Sequence, residues 1–338
     1  MTKYYFQTLE GGEEELLKEA QESKIQGNIL GNGIVEAEST LSEATKIAYN
    51  SRILLGVYQE FSKEEVKGKT FSIESANGHG QLEVREEITE ELKNLGGTLD
   101  YKSPEIKISL ITINDQIMIS KNVYEDLGKR EYYVFRARHA IRPITANIFL
   151  KKISLPKKGV SIFPFTGDGM MAIETALILT NQSVHKTEKN KFGEYSNILE
   201  SEDKKEKITE TKIYVLDTDF RGINNARKNA ILANTEKKID FSRKTAEDLD
   251  LKFEDESVDT ILCIPPQPSE HKDPIPQWNS LFKRGHQVLK KTGVLGVLMM
   301  RGAETFTEKA EQKRFKKEKE IKIKQGKETI TGIIFRKV

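Results

Sequence analysis

Three segments in the C-terminal half stand at the ends of apolar runs, and their order restricts the fold more than any other feature of the chain. They are Phe163-Pro-Phe-Thr-Gly-Asp-Gly169, Tyr214-Val-Leu-Asp-Thr-Asp219 and Ile261-Leu-Cys-Ile-Pro-Pro-Gln267. A glycine turn between an apolar strand and a helix, a second strand ending in an acid, and a Pro-Pro pair closing a later strand outline a nucleotide-cofactor pocket at the C-terminal edge of a parallel sheet. The pattern predicts a strand at Val160-Ser-Ile162, a helix from Met170 to Leu179, a strand ending at Asp217 and a helix from Ile223 to Ala233. Strand and helix alternate, so the fold class is α/β.

Each segment carries side chains suited to such a pocket. Gly167 and Gly169, flanked by Thr166 and Asp168, have no Cβ to hold the backbone away from a ligand and permit positive φ. An ordinary strand-to-helix turn would use two glycines in the same way. Asp217 is placed to accept hydrogen bonds from ribose hydroxyls, with Asp219 as the second choice. Pro265 and Pro266 end the strand Thr260 to Ile264 and make a stiff wall whose carbonyls can accept from an exocyclic amine of a nucleobase. Ile264 precedes that wall, Gln267 follows it, and Trp278 on the next helix either covers it or packs half-buried.

Breaks in the pattern divide the chain into a region over 1–140, with short strands and helices such as Ile88 to Leu95 and no cofactor motif, and a region over 141–338. The second begins at Arg142-Pro143, where a helix from Ile144 to Lys152 leads into the glycine-turn strand and sets Thr145 at the edge of the pocket. His185 to Lys212 is polar and charged, and reads as a mobile, solvated insertion. A helix from Ile275 to Lys290, a turn at Lys291-Thr-Gly293, a strand from Val294 to Met299 and a hairpin over Phe315 to Lys324 and Thr329 to Lys337 complete the sheet.

This series resembles the tRNA guanine-N2 methyltransferases with an N-terminal THUMP RNA-binding region, of the type found in archaea. Further matches run along the chain: Tyr4-Tyr-Phe-Gln-Thr-Leu-Glu-Gly-Gly-Glu-Glu-Glu-Leu-Leu17 at the opening strand and helix, and Gly33-Ile-Val-Glu-Ala-Glu38 before a helix from Ala44 to Val57 that holds Asn50-Ser-Arg-Ile-Leu-Leu55. Tyr101-Lys-Ser-Pro-Glu105 and Gly128-Lys-Arg-Glu-Tyr-Tyr133 stand where the family has an Asn-Pro-Asp turn and a Lys-Arg-Gly-Tyr segment. The resemblance implies a Rossmann-like class I methyltransferase domain behind an α+β, ferredoxin-like and THUMP-type region. It also implies S-adenosylmethionine as cofactor and tRNA or another structured RNA as partner. Catalysis would fall to Ile264, Pro265, Pro266 and Gln267. Cofactor contacts would come from Thr166, Gly167, Asp168, Gly169 and Asp217, with Glu247 or Asp248 near the adenine.

The chain departs from the family pattern at defined positions. Phe163 takes the place of an acid, Asp168 of a small hydroxyl residue, Ile264 of the catalytic Asp or Asn, and Gln267 of an aromatic. Isoleucine cannot accept from a guanine amine, and glutamine offers no ring for stacking, a contact worth roughly 1 to 3 kcal/mol per base. The alternative expectation is therefore an RNA-binding protein that keeps the fold with weakened catalysis.

Formal net charge is only +2, so binding to RNA needs a local patch. Lys129, Arg130, Arg136, Arg138, His139 and Arg142, interleaved with Tyr132, Tyr133 and Phe135, supply one on sequence grounds. An edge strand with one basic and one aromatic face would have the same sequence. The lysine-rich run from Lys313 to Lys324, with Glu318 and Glu320 inside it and Glu311 just before, reads as a solvated helix end and edge strand. The single cysteine, Cys263, excludes an internal disulfide and suits a reducing cytoplasm. Neither a signal peptide, a membrane span nor a metal-ligand set is expected, and nothing in the sequence speaks to oligomeric state.

Overall fold

In the computed structural model, which describes residues 1–76, 82–137, 141–271 and 273–338, the chain divides into two units. One comprises Met1–Lys129 with Thr187–Glu202, the other Arg130–Lys186 with Asp203–Val338. The division falls at Lys129/Arg130, ahead of the 140/141 boundary read from the sequence.

The N-terminal unit is built on β1 (Thr2–Gln7), α1 (Glu13–Glu22), β2 (Gly27–Gly31), β3 (Ile34–Ser39), α2 (Leu41–Asn50), β4 (Gly56–Glu60), β5 (Thr70–Ser75), α3 (Leu82–Asn94), β6 (Thr98–Leu99), β7 (Ile106–Ile113) and β8 (Gln116–Tyr124). These strands form one sheet in the order β2-β3-β1-β4-β8-β7-β5-β6, antiparallel except where β5 runs parallel to β6 and β7. The helix expected over Ala44 to Val57 is shorter. A Thr40–Glu43 capping box starts α2, but Ser51 is extended, its hydroxyl accepts from Ile53 N–H, and the chain turns into β4 at Gly56.

The C-terminal unit begins with α4 (Pro143–Leu150), β9 (Lys158–Pro164) and α5 (Met170–Leu179). The polar stretch after α5 is not a mobile loop. Between Thr187 and Glu202 it folds as part of the N-terminal unit, through a short 3-10 segment and the start of α6 (Ser196–Asp203). Phe192 is buried with its ring 5.4 Å from that of Tyr49 and 5.2 Å from that of Tyr124, and Leu199 is fully buried. Two apolar residues in a charged sequence supply the anchor that average composition conceals.

The remaining elements are β10 (Glu210–Asp217), α7 (Phe220–Leu232), β11 (Ile239–Arg243), α8 (Leu249–Lys252), β12 (Val258–Cys263), α9 (Ile275–Val288), β13 (Leu289–Met299), α10 (Ala303–Glu311), β14 (Phe315–Gln325) and β15 (Glu328–Lys337). Their sheet runs β11-β10-β9-β12-β13-β15-β14, parallel from β11 to β13. β15 is antiparallel to both its neighbours, so the hairpin closes the sheet. The expected turn at 291–293 falls inside the bounds of β13 but interrupts its pairing: Val258 pairs with Leu289 and Thr260 with Val294, so 290–293 bulge out of the ladder. Helices cover both faces. Phe282, Phe306, Phe315 and Phe335 pack with Trp278 on one side, while Phe149 of α4 lies against Gly296 and Gly332 on the other.

Candidate functional site

The strand order reverses at β9, where β10 lies on one side and β12 on the other, and open parallel sheets bind ligands at such a reversal. All three sequence segments meet this edge. Beyond β9 the chain passes through Phe165 with φ +55°, Gly167 with φ +55° and Gly169 with φ +78° before α5 starts. A Cβ on Gly169 would lie 2.6 Å from the Cβ of Ala226 on α7, so glycine is required there for the loop to reach that helix.

Asp217 ends β10 beside this loop and is half-buried. Its Oδ2 accepts from Gly167 N–H at 2.9 Å and its Oδ1 from Asp219 N–H at 2.9 Å. One carboxylate thus ties the glycine loop to the next turn, and each of its oxygens keeps a lone pair able to accept a further donor. Asp219 caps α7, accepting from Arg221 and Gly222 N–H. Thr166 is half-buried, and its N–H donates to Leu216 C=O at 3.3 Å.

Other residues expected at the cofactor have their polar atoms engaged within the protein. Asp168 is 6% exposed and does not present a free carboxylate: Tyr133 Oη (2.6 Å) and Ala137 N–H (2.9 Å) donate to Oδ2, and Met170 N–H to Oδ1. Thr145 is fully buried and donates to Gln325 Oε1 at 2.7 Å, linking α4 to β14 rather than lining a pocket edge. Glu247 is exposed and accepts from Ser280 Oγ at 3.0 Å. Asp248 accepts from both N–H and Oγ1 of Thr245, and these bonds hold its carboxyl below the ordinary range.

The proline wall is present with its carbonyls already engaged. Pro265 C=O accepts from Gln267 Nε2 at 2.5 Å and Pro266 C=O from Trp278 Nε1 at 2.9 Å. Gln267 Oε1 accepts from Met300 and Arg301 N–H, so its amide staples the wall to the end of β13 and keeps one N–H of Nε2 beyond these bonds. Trp278 is buried beneath the wall, and Ile264 is half-buried. Cys263 is buried and desolvation pushes its thiol well up, which fits core packing and not a nucleophile.

The basic and aromatic cluster is divided: Arg130, Tyr132 and Tyr133 are buried, while Lys129, Arg136 and Arg142 are exposed. Arg130, expected at RNA, is 6% exposed, and its Nε donates to Glu174 Oε1 at 2.9 Å; Tyr132 Oη donates to the same oxygen at 2.6 Å. Burial raises the Tyr132 phenol well above its ordinary value, so it remains a donor at working pH. Lys129, exposed, pairs with Asp126 at 2.5 Å. Arg136 is exposed, lies 5.2 Å over the Tyr133 ring and donates to Tyr133 C=O, while Arg142 is exposed at the start of α4. Arg138 and His139 lie outside the described residues.

Asn229 escaped the sequence reading. It is fully buried on α7 and bonds three backbone groups: Phe135 N–H, Phe135 C=O and Asp168 C=O, each at 3.0 Å. Its signal was an amide at a position that continues the apolar stripe of Ile223, Ala226 and Ala230. Among the described residues no group of three or more His, Cys, Asp or Glu could hold a metal ion, and no helix is long and apolar enough to cross a membrane.

Solved structures share this architecture. SMU.472, provisionally called a methyltransferase and crystallised with S-adenosylhomocysteine, superposes at a TM-score of 0.80 and 17% identity over 100% of this chain and 98% of its own. TrmN from Thermus thermophilus gives 0.72 and 18%, covering 99% of this chain and 100% of that one. A protein described as an N6-adenine-specific DNA methylase from Listeria monocytogenes gives 0.72 and 18%, covering 98% and 95%. At these identities the likeness is one of fold, and it extends to bacterial proteins beyond the archaeal type. No curated protein matches the chain by sequence. The family model described as RMKL-like, methyltransferase domain matches residues 130–330, which take in the strands from β9 to β14 and the first residues of β15. On that match the chain belongs to the RMKL-like methyltransferase domain family.

Proposed function

We propose that the C-terminal unit binds S-adenosylmethionine and methylates RNA, with the exocyclic amine of a guanine in tRNA as acceptor, and that the N-terminal unit is a THUMP-type RNA-binding region. The observation that carries this reading is the Asp217 carboxylate beside Gly167, because it joins a ribose acceptor to a glycine loop at the reversal of a parallel sheet. These residues fit the cofactor, which supplies an activated methyl group when bound. SMU.472, with S-adenosylhomocysteine bound on the same fold, supports the choice of cofactor. Cys263 in a thiol state and the family assignment fit a cytoplasmic protein.

The acceptor side is built for alignment by shape. Pro265 and Pro266 are stiff, and Trp278 and Gln267 lock them from below and from the side. Each carbonyl retains a second lone pair for an amine. Without a side-chain acceptor at Ile264 or a ring at position 267, transfer is expected to run about two to four decades slower than at a site holding both.

A second reading, an RNA-binding protein with little or no transfer, is favoured by Gln267, whose amide is committed to backbone at both ends. Calorimetric titration with S-adenosylmethionine, followed by methyl transfer to unmodified tRNA, separates the two. Binding with transfer supports the enzyme, binding without transfer to tRNA supports the second reading, and no binding removes the cofactor from both. Asp217→Ala is expected to weaken binding by roughly ten- to a hundredfold through loss of charge-assisted hydrogen bonds. Unchanged affinity would take Asp217 out of the site.

A further inference from the structure

The segment Arg130 to Ala137 leads into the C-terminal unit and was expected to meet RNA through its basic and aromatic residues. Part of it bonds to the glycine loop, while Arg136 stays exposed. Tyr133 and Ala137 both reach Asp168 Oδ2. Phe135 exchanges two hydrogen bonds with the Asn229 amide, whose Nδ2 also holds Asp168 C=O. Asp168 Oδ1 receives Met170 N–H, the first amide of α5. Asp168 therefore stands where three pieces of chain meet: the incoming segment, the glycine loop with the start of α5, and α7.

We infer that Tyr133, Asp168 and Asn229 are positioning residues that hold the glycine loop in its cofactor-accepting form before the cofactor arrives. This rests on the S-adenosylmethionine reading above. The physical ground is the cost of the loop itself. Phe165, Gly167 and Gly169 all have positive φ, and for Phe165 that conformation costs on the order of 1 to 3 kcal/mol unless its surroundings impose it. Asp217 restrains the loop at Gly167, and the Tyr133–Asp168–Asn229 set restrains it at Asp168. Tyr133, Asp168 and Asn229 are each at least nine-tenths buried, so their bonds do not compete with water. Burial and the neighbouring Asp168 push the Tyr133 phenol up, so it stays a donor. A side chain need not touch a ligand to set its affinity: when the competent loop is populated for only a fraction of the time, apparent affinity falls by that fraction.

The test uses the full chain and Tyr133→Phe, which keeps the ring and removes only the hydroxyl. Amide hydrogen exchange in the ligand-free protein is read at Gly167, Gly169 and Met170, and S-adenosylhomocysteine affinity by calorimetry. The inference expects these amides to lose nearly all their protection, with the rest of the unit unchanged, and affinity to fall by about five- to fiftyfold as the competent loop becomes the minor state. Asp168→Asn serves as the second variant and should speed exchange at the same amides. Unchanged exchange at the loop, or a uniform rise across the unit, overturns the inference. So does unchanged affinity in a wild type that binds. A wild type that does not bind S-adenosylhomocysteine sinks the cofactor reading alone, since the exchange data still decide whether this set holds the loop.

Discussion

Glu174→Ala is expected to lower the unfolding free energy of the C-terminal unit by about 3 to 5 kcal/mol. Both side chains of the Arg130–Glu174 pair are fully buried, and Glu174 Oε1 receives Arg130 Nε and Tyr132 Oη together. Removing the carboxylate takes a buried charge partner from a guanidinium in a low-dielectric interior, and it also takes the acceptor from a buried phenol. Urea unfolding followed through Trp278, the one tryptophan of the chain and a core residue of this unit, measures the loss directly. The double variant Arg130→Met with Glu174→Leu should recover most of it, because the cost comes from the broken charge pairing and not from the shape of the site. A loss below about 1 kcal/mol for Glu174→Ala would mean that water reaches the guanidinium, and the anchoring role of this pair would fall.

Phe192→Ala is expected to cost the N-terminal unit about 3 to 5 kcal/mol. Phe192 is 1% exposed, stands edge-on to Tyr49 and is tilted against Tyr124, so truncation removes a ring from a three-ring cluster. Leu199 and the bond from Asn50 Nδ2 to Glu202 Oε2 at 2.9 Å would remain to hold 187–202 in place. The polar stretch should then open to proteolysis while the sheet of this unit persists. The check is limited proteolysis combined with far-UV circular dichroism across a urea series. If 187–202 is cleaved as readily in the wild type as in Phe192→Ala, the segment is the solvated insertion that its composition suggested.

These two residues mark where sequence reasoning stops. Asp217 at the end of a strand, Gly167 and Gly169 in a strand-to-helix turn, and the helix Met170–Leu179 were legible because their causes are local: an allowed φ, a strand terminus, a periodicity of apolar residues. The parallel sheet followed from the alternation of such pieces. Arg130, by contrast, has the same sequence signature whether it faces RNA or a buried carboxylate, since Glu174 is 44 positions away. Phe192 lies in a run whose average composition is that of a solvated loop, and the rings that bury it come from Tyr49 and Tyr124.

The acceptor edge shows the same division. Ile264 and Gln267 could be recognised from the chain as departures from a family pattern, and the stiffness of Pro265-Pro266 is a property of proline alone. That Gln267 closes on Pro265, Met300 and Arg301, and that Trp278 donates to Pro266, depends on β13 and α9 lying beside β12. Local conformation follows from each residue's own sterics and hydrophobic period, so it can be read along the chain. Which polar group satisfies which is settled only when the packed elements exclude water and leave each buried donor and acceptor a single reachable partner.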